Sequence, residues 1–170
     1  MGEILHKESK VIEDISAKFN IDAKVQRERR VWVTVDKDNL IALCNFAKGL
    51  GFEHLSAISV TDWLEEGTFE LTYHLWSYSE MILLTVKTKI ERDNPVCDSV
   101  VPVWQENAQI HERELHELFG VKFEGNEDLT PLFLEGWDGP PPFRKDFNWR
   151  EYARQQHYDK ANERERAYYD

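Results

Sequence analysis

Residues 68–78 read Thr-Phe-Glu-Leu-Thr-Tyr-His-Leu-Trp-Ser-Tyr, so that Phe69, Leu71, Tyr73 and Leu75 alternate with Glu70, Thr72, His74 and Trp76. Side chains of an extended chain point to opposite faces in turn, and this alternation therefore predicts a strand with one buried side. The segments 54–62 and 80–90 have the same character, with a hairpin near residues 77–79 joining the last two strands. Upstream, 23–28 and 31–35 read as two shorter strands. Ile4, Leu5, Glu8, Val11, Ile12, Ile15 and Phe19 recur at helical spacing, and so do Leu40, Leu43, Cys44, Ala47 and Leu50. Asp36 or Asp38 is available to cap the second helix, and Gly49 and Gly51 stop it. A glycine pair that closes a helix is not a dinucleotide loop, which follows a strand and opens a helix. Helix, two strands, helix, three strands has local hairpins but too few β-helix-β alternations for a doubly wound fold. The expected fold is α+β, a two-layer sandwich of a mixed or antiparallel sheet with helices on one face.

The chain has 170 residues, enough for one compact domain that buries roughly 70% of its unfolded surface. Its 32 acidic and 21 basic side chains give a net charge of −11, which repels a phosphate backbone, so no nucleic-acid partner is expected. Cys44 and Cys97 stand far apart with no Cys-x-x-Cys spacing, and neither a disulfide framework nor a thiolate-held cluster is read from them. The longest strongly apolar run, around residues 81–86, is far shorter than the ~20 residues that span a bilayer. No transmembrane segment is expected, and membrane association would have to come through another protein.

After Asn94-Pro95 the pattern changes. A short strand over 100–104 is expected, then a helix over about 107–119, then an irregular stretch rich in Gly, Pro and aromatic residues. Within the helix, His111-Glu112-Arg113-Glu114-Leu115-His116 imitates a zinc-hydrolase sequence. That chemistry needs two histidines four apart, whereas His111 and His116 are five apart and lie ~140° around the helix. Glu112 with His116 would supply only two ligands. The competing reading is a charged helix face with local pairs, Glu112 to His116 or Arg113 to Glu117, over a buried stripe of Leu115, Leu118 and Phe119.

The ordered motifs of this half carry a resemblance. Ser99-Val100-Val101-Pro102-Val103-Trp104 and Asn107-Ala108 precede Glu112-Arg113-Glu114 and a helix end at Phe119-Gly120. Phe123 and Gly125, Asp128-Leu129, Trp137 and Gly139, Phe143, and Arg144-Lys145-Asp146-Phe147 follow. Together with the strand ending at Asp62 and with Phe69-Glu70-Leu71-Thr72-Tyr73, this resembles the 30 kDa subunit family of respiratory complex I over roughly residues 55–147. The chain departs from the family at Gly125-Asn126-Glu127, where Gly-His-Pro is usual, at Glu117 in place of Asp, and at Asn148 in place of Pro.

The resemblance implies a non-catalytic assembly subunit in the peripheral arm of an ion-translocating, membrane-bound oxidoreductase. It would hold no cofactor and lie on the cytoplasmic side of the membrane. Its partners would be a large catalytic subunit, of the 49 kDa or nickel–iron hydrogenase type, and neighbouring iron–sulfur subunits. A hydrogenase-type complex is the favoured setting, with quinone-reducing and sulfur-reducing complexes as alternatives. Two units are expected: a compact domain over 1–123, and an extended arm and tail over 124–170 that docks on partners. Pro140-Pro141-Pro142 lack backbone donors and favour an extended path, so residues 136–147 should neither pair nor coil. Trp137, Phe143, Phe147 and Trp149 punctuate this arm as candidate anchors or as rings folded back on the core. Arg144, with Lys145 and Asp146, has either a partner carboxylate or the Glu-Arg-Glu helix within reach. The tail beyond Trp149 reads as a docking helix or a solvated extension.

Overall fold

The structure, a computed structural model, describes residues 4–19 and 21–159. Helix α1 (Ile4–Lys18) leads into strands β1 (Asp22–Arg27) and β2 (Arg30–Thr34). Helix α2 (Leu40–Gly49) is followed by β3 (His54–Trp63), β4 (Thr68–Ser77) and β5 (Ile82–Glu91). These strands make one sheet in the order β1-β2-β5-β4-β3, antiparallel except for the parallel pair β2–β5. The period of two in β4 does what it predicts: Phe69, Leu71, Tyr73 and Leu75 are fully buried. They pack with Val31, Val33, Leu84 and Val86 of neighbouring strands and with Ile15, Leu40, Leu43 and Ala47 of the two helices. The fold is the expected α+β sandwich, with the core on the helix-bearing face of a mixed sheet.

Two local expectations are corrected. The segment 100–104 is not a strand: helix α3 runs from Val101 to Phe119, with a kink at Gln105 (φ 42°, ψ −118°). Val100, Val101 and Val103 suggest a strand locally, but Pro102 suits a first helical turn, and burying Val103, Trp104 and Ala108 against the core decides the outcome. Nor does Asp36 or Asp38 cap α2 with its side chain; a single 3-10 turn over Lys37–Asn39 leads into the helix instead.

A feature absent from the sequence reading brackets α3. Strand β6 (Val96–Asp98) pairs in parallel with β7 (Lys122–Glu124), placing the entrance and exit of the helix side by side. From Gly125 the chain runs without regular structure to α4 (Trp149–Ala153) and a short π-helical stretch, Arg154–Asp159. The tail expectation beyond residue 159 lies outside the described residues.

Candidate docking surface

The motif residues divide between the inside of the domain and the path of the arm. Glu112 is fully buried, and its carboxylate accepts hydrogen bonds from Ser99 Oγ (2.8 Å), the Val100 backbone N–H (2.7 Å) and Asn126 Nδ2 (2.8 Å). It ties the start of α3 to the turn after β7. Burial pushes its carboxyl above the usual range, partly offset by those three donors. The expected Glu112–His116 pair is therefore not made; His116 Nδ1 lies 2.8 Å from the Val121 carbonyl. Glu114 lies 3.9 Å from His111. Among the described residues, no group of three or more His, Cys, Asp or Glu side chains is placed to hold a metal ion.

Phe123 belongs to the core, with Leu129 packed against its edge. Gly125 adopts φ 88° after β7. Asp128 makes a local turn by accepting from the Thr130 backbone N–H and hydroxyl.

Beyond this point α3 works as a rail for the arm. Arg113 donates to the carbonyls of Thr130 (3.0 Å) and Pro131 (3.1 Å). Instead of pairing directly with Arg113, Glu117 receives three successive backbone N–H groups, those of Leu132, Phe133 and Leu134, at 3.1, 2.9 and 2.6 Å. Burial acts to raise the Glu117 pKa, but those three donors hold it below the usual carboxylate value. The helix ends at Gly120 (φ 76°), where a Cβ would stand 2.9 Å from Pro141 and 3.2 Å from Arg144. Glycine is needed there both for the left-handed turn and for the closeness of the arm.

The arm closes on the end of the sheet. Phe143 donates its backbone N–H to the Leu118 carbonyl, and Arg144 donates through Nε to that of Phe119, at 3.0 and 2.8 Å. The Arg144 side chain thus meets the last carbonyl of the helix rather than its carboxylates. Its guanidinium also lies 5.2 Å from the centroid of the Phe69 ring, which Phe119 meets edge-on. Next to it, buried Arg92 is shared between two carboxylates. Its Nε and Nη2 donate to Asp62 (2.8 and 3.0 Å), its Nη1 and Nη2 to Asp146 (3.0 and 2.6 Å). Asp62 also accepts the Lys145 backbone N–H at 2.9 Å. The Arg92 hydrogen bonds hold the Asp62 and Asp146 carboxyls below the usual range.

What the arm leaves outward is aromatic. Phe143 is 60% exposed, Phe133 63%, Trp149 63% and Trp137 37%. Trp137 donates to the Pro140 carbonyl, meets Phe147 edge-on at a centroid distance of 6.0 Å and lies tilted against Tyr152 at 4.9 Å. Gly139 permits this, since a Cβ there would lie 2.6 Å from the Trp137 ring. Arg92 and Tyr152 are not among the candidate residues, and Asp62 and Glu117 enter only through the resemblance or a helix-face pair. The partners of Asp62, Arg92 and Glu117 lie in segments remote in the chain, which no local motif marks.

Residues 33–153 match the family model described as respiratory-chain NADH dehydrogenase, 30 Kd subunit. The chain belongs to this family. It is 36% identical over 142 residues to a subunit of the F(420)H(2) dehydrogenase of Methanosarcina mazei, covering 81% of this chain and 89% of that protein. It is 29% identical to a subunit of the NADH-quinone oxidoreductase of Moorella thermoacetica, covering 86% of this chain and 95% of that one. Among solved structures, a chain of an archaeal membrane-bound sulfane sulfur reductase superposes with a TM-score of 0.81 at 30% identity, covering 89% of this chain and 92% of that chain. A trypsin-resistant fragment of Nqo5 shares the fold, with a TM-score of 0.61 at 24% identity over 72% of this chain and 99% of the fragment. This member of the 30 kDa subunit family is thus part of a complex I-like oxidoreductase rather than a stand-alone enzyme. Among its described residues, no helix is long and apolar enough to cross a membrane.

Proposed function

We propose that the chain is a non-catalytic assembly subunit of the peripheral arm of a membrane-bound, ion-translocating oxidoreductase. It docks through the arm and tail over 124–170 on the large catalytic subunit and touches neighbouring iron–sulfur subunits on the cytoplasmic side of the membrane. The observation that carries this reading is the construction of the arm: irregular backbone pinned along α3 and at Arg92, with Phe133, Trp137 and Phe143 left outward. A pre-ordered backbone lowers the entropy lost on binding, and large aromatic rings supply anchoring area. In this reading the compact unit is 1–123 and the remainder serves the interface. The sequence inclines towards a hydrogenase-type complex, whereas the named relatives come from F(420)H(2), quinone and sulfane sulfur complexes. Purification from gently solubilised native membranes through a tag on this chain tests the proposal. Co-elution of a large catalytic subunit and iron–sulfur subunits is expected, and activity assays of that eluate with proton, quinone and sulfur acceptors identify the complex. Elution of the chain alone, with the oxidoreductase intact elsewhere, overturns it.

A further inference from the structure

The sheet has a second face, away from the helices. Because Val31, Leu84, Tyr73 and their neighbours point into the core, the alternate residues point outward, and the strand register groups them into rows. One row runs from Arg30 through Leu83 to Trp76, and the next from Lys24 through Trp32 and Thr85 to His74. Trp32, Leu83 and Trp76 are half-buried, with no second layer of secondary structure over them among the described residues. The Lys24 and Lys87 ammonium groups stand 5.6 and 4.9 Å from the centroid of the Trp32 ring.

Within these two rows charge runs against the rest of the molecule. The chain carries 32 Asp and Glu residues, yet none falls in these two rows. Farther along the face stand Asp22 and Glu91, and Glu70, which Lys87 neutralises at 2.7 Å. Among the described residues, Lys24 and Arg30 form no ion pair. The local field is positive enough that Arg30 and Lys87 add to burial in lowering the pKa of His74.

Apolar rings beside two cations without an ion pair, Lys24 and Arg30, fit a partner that brings carboxylates and one apolar side chain. A nucleic acid or an anionic bilayer would face the −11 charge of the whole chain, whereas a short acidic protein segment covers these rows alone. We propose that this outer face docks an acidic segment of a neighbouring subunit, with carboxylates on Lys24 and Arg30 and an apolar side chain between Trp32 and Trp76. The inference rests on the chain being a subunit, and it adds a second interface. From Phe69, where the arm closes, to Trp76 is seven residues along β4, about 23 Å, and the two surfaces lie on opposite faces of the sheet.

The test uses the complex purified through a tag on this chain. Lysine acylation of Lys24 and oxidative labelling of Trp32 should each fall by about tenfold in the assembled complex relative to the free full-length chain. The double variant Lys24→Glu/Arg30→Glu should keep the melting temperature of the free chain and lose about tenfold in recovery of the complex. Lys24→Arg should behave as the wild type. If the glutamates disturb folding, Lys24→Gln/Arg30→Gln with the same labelling decides the matter. Equal labelling in the free and assembled states, or full recovery with the folded double variant, overturns this interface while leaving the subunit reading intact. Failure of the wild type to recover any complex overturns the subunit reading itself. Flotation of the free wild-type chain with vesicles of anionic phospholipid, lost in Lys24→Glu/Arg30→Glu, would assign the face to a membrane instead.

Discussion

Arg92 joins the sheet to the arm through a buried ion pair. Its side chain is only 6% exposed, and one of its two partners, Asp62, is 3% exposed. Removing a guanidinium from such a site leaves a buried carboxylate without its counter-charge, which typically costs about 3–5 kcal/mol. Arg92→Ala should therefore lower the thermal midpoint strongly, and Asp62→Asn should weaken its effect in a double-mutant cycle. The pH dependence has a definite sign. Both aspartates are depressed in the folded state, so their stabilisation is complete above the unfolded value of about 3.9 and is lost as pH falls through their lower folded values. Asp146, half exposed, contributes the smaller share. The melting difference between wild type and Arg92→Ala should thus hold from about pH 7 down to about pH 4 and shrink below it in calorimetry. Glu112 works in the other direction. Its raised folded value favours the native state at low pH, and that contribution is lost as pH rises from about 4.3 through the folded value. Because three donors converge on Glu112, Glu112→Gln turns an amide N–H toward one of them. A loss of about 1–3 kcal/mol in denaturant unfolding is expected.

At the scale of elements, α3 and the arm form one unit joined by side-chain-to-backbone bonds. Gly139 tests the arm independently of the core. Gly139→Ala places a methyl against the Trp137 ring, so the Trp137–Tyr152 stack should open, with changed indole fluorescence and little change in the domain's melting temperature. Gly120→Ala strains a left-handed helix end and pushes on Pro141, and it should cost about 1–2 kcal/mol. The sequence makes some of this unit legible. Leu115 and Leu118 announce the buried stripe of α3, and three prolines announce an arm without regular structure. Residues 100–104 mislead because β-branched side chains favour a strand locally, while a helix buries Val103 and Trp104 against the core. The Arg92 cluster is illegible for another reason. Asp62 and Asp146 belong to segments whose proximity exists only once the sheet and the arm are both in place.

For the whole molecule the decisive question is whether the outward rings serve the fold or a partner. A ring buried in the core would cost roughly 3–5 kcal/mol on truncation. Phe143, however, keeps 60% of its surface in solvent, and Trp137 touches mainly Phe147, Tyr152 and Pro140 of its own arm. Phe143→Ala and Trp137→Ala should therefore reduce the stability of the free full-length chain by about 1 kcal/mol or less. If these rings anchor the chain on the large subunit, each truncation should weaken assembly by about 2 kcal/mol or more, a loss of roughly thirtyfold in affinity. Thermal unfolding of the free chain and recovery of the complex, measured on the same variants, separate the two cases. A marked fall in melting temperature with full recovery of the complex would return both rings to the domain's own architecture. Unchanged melting with lost recovery would make the arm the docking element and leave the domain as the body that holds it in position.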